Sequence, residues 1–322
     1  MLKLRLSVIG TLALIIGAST LFFTVILSLI GGLNIFALAF FVIVFNIIQW
    51  LIAPYLIDAI YRVREVKASE EPWLYNTVQS LSGKLKLKPP RVMLAKIPIP
   101  NAFAYGSPIA GSRVAVTSGL LKELEKEEVE AVLGHELGHL KHRDVQVMMF
   151  ASVLPAIFYF LGYSMMLSGM FGGNRDRRQG NSGYAFLIGM ASMVVYWILT
   201  LLVLGLSRLR EYYADSTSVS IVEDGSRKLS EALAKIVNSS TRMKRNQRGQ
   251  SQFSSFKALF IEDPDRAATV REPITRTRFS GSDEILVQDI LSRKITTTDR
   301  IVEVLSTHPN IVKRLRALQS IA

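Results

Sequence analysis

The chain has no cysteine among its 322 residues. That absence excludes disulfide frameworks, thiolate zinc sites, iron–sulfur clusters and thiol catalysis. Histidine is nearly as scarce: any histidine chemistry must come from His135, His139, His142 or His308. Acidic residues are outnumbered, 26 against 38 Lys plus Arg, for a formal net charge of +12. An excess of this size suits nucleic acid or an anionic membrane surface. The choice between them turns on where charge is missing. Hydrophobic residues make up 49% of the chain, and they are gathered into long blocks whose interiors hold no Asp, Glu, Lys or Arg.

Spanning the hydrocarbon of a bilayer takes about 20 apolar residues as helix. Four blocks qualify: Leu6 to Ile30, Asn34 to Tyr55, Val145 to Phe171, where Pro155 marks a kink position, and Tyr184 to Leu206. The first is too long for a signal-peptide core and has no small-residue cleavage site at its end. After Gly31-Gly32 it meets the second block at once, so residues 1–67 read as a retained transmembrane hairpin. The third block carries Ser152, Tyr159, Tyr163, Ser164 and Ser168, which suit a protein contact or a wet cleft as well as lipid. Lys3, Arg5, Arg62, Arg64, Lys67, Lys141, Arg143, Arg208 and Arg210 flank the blocks on one side of a four-span arrangement. The positive-inside rule makes that side the cytoplasm of a multi-pass cell-membrane protein. Arg175, Arg177 and Arg178, between blocks three and four, break the rule and leave open whether those two blocks cross fully. The basic excess therefore points to a lipid bilayer as partner and to no nucleic acid. A transporter is disfavoured, because the blocks offer no ionisable ion path.

Residues 68–144 and 208–322 remain as two soluble halves, with 145–207 as a second hydrophobic hairpin between them. The first half reads as a helix over Pro72–Leu85, strands at Arg91–Lys96, Asn101–Tyr105 and Ser112–Thr117, and a helix from about Lys126. The second reads as helices at Ser207–Val222 and Ser226–Asn238, then a loop-rich insertion near 240–282. Helices follow near Asp283–Leu291, Thr298–Leu305 and Asn310–Ser320. Ser239–Ser255, rich in Arg, Ser and Gln, has little to bury and reads as mobile.

The chemistry lies in the helix over Lys126–Arg143. Val129, Val132, Leu133, Leu137 and Leu140 recur at helical spacing, and His135 and His139, four apart, share one face. Both imidazoles can reach one zinc ion at about 2.0–2.1 Å. Glu136 is placed to take a proton from water activated there without ligating the metal. Gly134 and Gly138 weaken the helix, and they let another segment approach beside the two ligands. His142 is seven residues from His135 on a continuous helix, about 10 Å of rise, too far to share an ion. It reads as an interfacial residue. Glu211 and Asp215, four apart after the fourth block, offer a third ligand and an acceptor for the second N–H of a ligating histidine. A surface helix with local ion pairs is the alternative for that pair.

The ordered set resembles the HtpX family of membrane zinc metalloproteases, gluzincins related to the CAAX prenyl proteases. It comprises Asn101-Ala-Phe-Ala104, Thr117-Ser-Gly-Leu-Leu121, His135-Glu-Leu-Gly-His139, Ser207-Arg-Leu-Arg-Glu-Tyr-Tyr-Ala-Asp215 and Ser306-Thr-His-Pro309 followed by Arg314. The resemblance covers nearly the whole chain. It implies four hydrophobic helices plus a zincin-like α+β peptidase domain with a small β-sheet, in a mainly α membrane protein. It also implies one zinc per chain on His135, His139 and Glu211, Glu136 as the base, a cytoplasmic catalytic face and membrane-protein quality control. Residues Asn101, Ala102, Phe103 and Ala104 look like the family's edge strand, where an extended polypeptide substrate would add a strand; an interior strand is the alternative. His308 or Arg314 is expected near the zinc, as an oxyanion donor or with His308 on the open metal position; a helix cap and a structural ion pair are the alternatives. The segment 242–282 matches no family motif. A metal-holding scaffold or holdase without activity is the competing function, but such a protein has no use for Glu136.

Overall fold

In the computed structural model the described residues are 35–171, 181–246 and 283–321. The first apolar block, the Arg175–Arg178 loop and most of the 242–282 insertion lie outside them. The elements are α1 (Ile35–Tyr61), β1 (Val63–Glu65), α2 (Pro72–Lys84), β2 (Arg91–Ala95), β3 (Ala102–Ser107), β4 (Gly111–Thr117) and α3 (Ser118–Glu123). They continue as α4 (Lys126–Lys141), α5 (Asp144–Phe171), α6 (Asn181–Ile221), α7 (Gly225–Asn246), α8 (Asp283–Ser292), α9 (Thr297–Val304) and α10 (Ile311–Ile321). The chain is mostly helical with one small mixed sheet.

Among the described residues, three helices are long and apolar enough to cross a membrane: Ile43–Tyr61, Asp144–Leu167 and Gly183–Ile221. They leave apolar side chains such as Ile43, Ile47, Ile52, Leu187, Val194 and Leu202 exposed, as helices solvated by lipid do. Contacts divide the chain into two units. One holds the described parts of Met1–Trp50 and Gln146–Val203. In it α5 and α6 pack closely at Gly162 and Gly189, where a Cβ would come within 2.9 Å of Met193 Sδ and 2.7 Å of Met166 Cγ respectively. Tyr159 and Tyr163 of the third block have aromatic neighbours there. Tyr159 meets Tyr196 edge-on, with ring centroids 5.1 Å apart, and stacks on Tyr163.

The second unit is Leu51–Val145 with the described part of Leu204–Ala322. Its sheet has the order β1-β2-β4-β3. β2 and β4 are parallel, pairing Arg91 with Arg113 through Ala95 with Thr117; β1–β2 and β3–β4 are antiparallel. β3 therefore lies at an edge. Alternation sorts the two faces. Val92, Ala102, Val114 and Val116 face the main core of Leu133, Leu137, Leu229, Leu233 and Leu315, while Met93, Phe103, Tyr105 and Ala115 pack against Ile57 and Val63. Each fully buried Leu in that core contributes about 1.5–3 kcal/mol. On the second face Asp58 pairs with Arg113 and accepts the Tyr105 hydroxyl at 2.6 Å. Burial, first, and the Asp58 carboxylate, second, push the Tyr105 phenol well up.

Two expectations change. The fourth block and the motif helix after it are one continuous helix, Asn181–Ile221, because nothing between Tyr184 and Val222 stops it: Gly189 and Gly205, far apart, are tolerated. Ser239–Asn246, expected to be mobile, continues α7, with Ser239 and Ser240 buried. β1 and α3 are short additions that three to six residues of pattern do not reveal.

Candidate metal centre

Helix α4 is started by a capping box. Glu125 and Glu128 exchange side-chain and backbone bonds, with Glu125 N–H donating to Glu128 Oε2 at 2.7 Å. It ends at His142, after which Arg143 takes a left-handed conformation (φ 55°) and Asp144 opens α5. Two glycines set the next contact. A Cβ on Gly138 would lie 3.0 Å from Ala214 Cα, and one on Gly134 would lie 2.9 Å from Ser218 Oγ. Helix α6 thus crosses α4 over bare backbone, and Ser218 Oγ–H donates to Ala131 O at 2.6 Å. The crossing brings Glu211 and Asp215 to the two histidines.

His135 Nε2 and His139 Nε2 are 3.1 Å apart, and the Glu211 carboxylate lies 3.7 and 3.4 Å from them. These are three ligand atoms within 4.8 Å of one another. Both Nδ1 atoms face carboxylates, His135 on Asp215 at 2.8 Å and His139 on Asp144 at 2.6 Å. With each Nδ1–H donating to its carboxylate, the two Nε2 lone pairs face each other, and a cation, either a proton or a metal ion, completes the pair. Burial opposes charge on His139. Hydrogen bonds to Asp144 and Glu211 and the charges of Glu211 and Glu136 outweigh it and lift the imidazole to about 10. The donor set thus fits a metal: a buried anionic field around two oriented nitrogens and one carboxylate.

Around it stands a ring of charge. Arg314, with 0% of its side chain exposed, forks onto Asp215 at 2.6 Å through Nε and through Nη2, and its Nη1 is 3.1 Å from Glu211 Oε2. Its Nη2 also lies 3.2 Å from both His135 ring nitrogens. His308 Nδ1 is 3.3 Å from the same Glu211 oxygen. Glu136, next to His135 on α4, is buried, and its charge acts on His139. β3, carrying Ala102, Phe103 and Ala104, runs beside α4. Asn101 is tied to β4, its N–H donating to Thr117 Oγ1 and its C=O accepting from Thr117 N–H, both at 2.9 Å. His142 is not among these clustered ligands; its Nε2 contacts Thr217 Oγ1 at 3.1 Å.

Two members escaped the sequence reading. Asp144 holds His139, and Arg210 pairs with Asp144. The available signal was an acid five residues past the second histidine, just beyond the α4 end, and an Arg next to the presumed third ligand.

These features define a multi-pass membrane metalloprotease. A profile of Peptidase family M48 matches residues 68–322, and the chain belongs to that family. It is 37% identical to a Protease HtpX homolog of Aeropyrum pernix over 98% of this chain and 96% of that one. It is 35% identical to the Protease HtpX homolog of Thermoplasma acidophilum, over 90% and 88%. In fold it is similar to the crystal structure of S. mikatae Ste24p, with a TM-score of 0.58 and 16% identity, covering 99% of this chain and 67% of that one.

Proposed function

We propose that this chain is a zinc-dependent endopeptidase. It cleaves extended polypeptides, misfolded or membrane-associated, at the cytoplasmic face of a cell membrane in protein quality control. The observation that carries the reading is the convergence of His135, His139 and Glu211, with a carboxylate behind each imidazole. These three would hold the ion. Zinc bound there supplies a Lewis acid that polarises the scissile carbonyl and acidifies water. Glu136 takes a proton from that water on its carboxylate and returns it to the leaving amine nitrogen. Asp215 and Asp144 keep His135 and His139 in the tautomer that offers Nε2.

His308 is the donor for the oxyanion that develops on the scissile carbonyl. Arg314 is the less suited donor, since its Nε, Nη1 and Nη2 face Asp215 and Glu211; it holds the ligand carboxylates in place. Asn101–Ala104 offers an edge beside α4, and no further strand pairs with it among the described residues. An extended substrate adds there through backbone hydrogen bonds. Cytoplasmic action rests on the flanking cations, and quality control on the family resemblance.

The experiment is digestion of casein by the detergent-purified chain, with fragments sequenced by mass spectrometry. Internal cuts that stop on chelation and return with added zinc are expected. Cleavage that persists in chelator overturns the metal role, and release of terminal residues only overturns the endopeptidase assignment.

A further inference from the structure

Arg208 begins the polar stretch after the fourth apolar block, yet its guanidinium points back into that block. Its Nη2 lies 3.6 Å from where a Cβ on Gly205 would stand. There its Nη1 donates to three carbonyls, Glu303 and Val304 at 2.9 Å and Ser306 at 2.8 Å. Leaning toward its helix N-terminus as helical side chains do, Arg208 lies over the last turn of the apolar run and holds the C-terminal end of α9 there. That end therefore stands level with Gly205, a residue still inside the apolar run.

Helix α9 is built for such a position. A capping box of Thr296 and Asp299 starts it, with Asp299 N–H donating to Thr296 Oγ1 at 3.2 Å. Val302 and Glu303 are buried against the protein. The opposite face shows Ile301, Val304 and Leu305, respectively 59%, 46% and 36% exposed. Exposed Lys294 and Arg300 lie beside it. An apolar face flanked by cations, level with the end of a spanning helix, is the pattern of an interfacial anchor on an anionic bilayer.

We propose that α9 is a lipid-binding foot. Ile301, Val304 and Leu305 sit in the boundary between headgroups and acyl chains, and Lys294 and Arg300 meet anionic headgroups. The occupant is the bilayer because α9 is clasped by Arg208 beside Gly205, where the apolar run of α6 ends. The foot leads straight into Ser306–Pro309, so it also sets the height of His308, 3.3 Å from Glu211 Oε2, relative to the membrane. The inference rests on the membrane reading and not on zinc or proteolysis.

The absence of native cysteine allows a direct test. Single variants Ile301→Cys, Val304→Cys and Leu305→Cys, with Ser220→Cys as an aqueous control, carry a nitroxide. They are placed in vesicles of three parts phosphatidylethanolamine to one part phosphatidylglycerol by the full-length chain's own insertion. Collision with oxygen and with a neutral nickel chelate is then measured. The foot predicts that oxygen dominates at 301, 304 and 305 and nickel at 220, a several-fold reversal of the ratio. Nickel preference at all four positions overturns it. Spin–spin broadening at 301–305 that vanishes on dilution with unlabelled chain identifies a second copy as the occupant and also overturns it. All four positions are at the surface, so a label there is tolerated. An unchanged unfolding temperature in each labelled protein establishes that the fold is the one being measured.

Discussion

Replacing Asp144 should weaken the metal site and the fold separately, and the two effects can be parted. Asp144 touches His139 Nδ1 at 2.6 Å and pairs with Arg210, each partner of that ion pair being 10% exposed. Asp144→Asn keeps an acceptor for the imidazole N–H but loses the charge that raises the basicity of Nε2. Losing such an orienting group costs about 10–100-fold in metal affinity, or roughly 1.4–2.8 kcal/mol. Asp144→Ala adds a second penalty. It leaves the Arg210 guanidinium buried without its carboxylate, and its Nε and Nη1 already lack hydrogen-bond acceptors among the described residues. Stranding one partner of a buried pair costs about 3–5 kcal/mol. Adding Arg210→Met to Asp144→Ala removes the stranded charge, so most of that stability should return while zinc affinity stays low. Chelator competition reads affinity, and denaturant unfolding of the detergent-solubilised chain reads stability. Wild-type zinc affinity in Asp144→Asn would refute the reasoning, as would recovery of affinity together with stability in the double variant.

Other substitutions probe the same construction. Gly138→Leu should push α6 away from α4, costing about 1–3 kcal/mol by overpacking, and should lower zinc affinity because Glu211 and Asp215 ride on α6; unchanged affinity would mean the crossing does not position the ligands. Arg314→Met leaves Asp215 and Glu211 without their shared cation and should destabilise the metal-free chain by about 3–5 kcal/mol, read by unfolding. His308→Ala should keep full zinc content and lose about 10²–10³-fold in kcat, as removal of an oxyanion donor does. Full zinc with unchanged kcat in that variant would assign His308 a structural role.

What could be read in the sequence was local. The α4 face, the two histidines and Glu136 follow from spacing within one helix, and Glu211 with Asp215 repeats that four-residue logic on a second. The glycines that admit α6 were visible as helix-weakening residues beside the ligands, though what they admitted was not. Asp144 and Arg210 were out of reach because their meaning is a contact across 66 positions. It depends on a left-handed turn at Arg143 that a non-glycine residue does not advertise. The contact made by Arg208 was hidden for the same reason: a flanking cation reads as a topology signal, not as a clasp on three carbonyls 95 to 98 residues away. Helix α7 ran past Asn238 because burial of Ser239 and Ser240 against the domain overrides their weak helical preference.

The central claim is that Glu136 moves the proton at a zinc centre held by His135, His139 and Glu211. It is tested most directly by purifying wild type and Glu136→Ala side by side and measuring zinc content and casein cleavage on the same samples. The account predicts one zinc per chain in both, with activity in wild type and none above background in the variant. Equal cleavage by the two proteins would contradict the mechanism, and wild type free of zinc yet active would contradict the site.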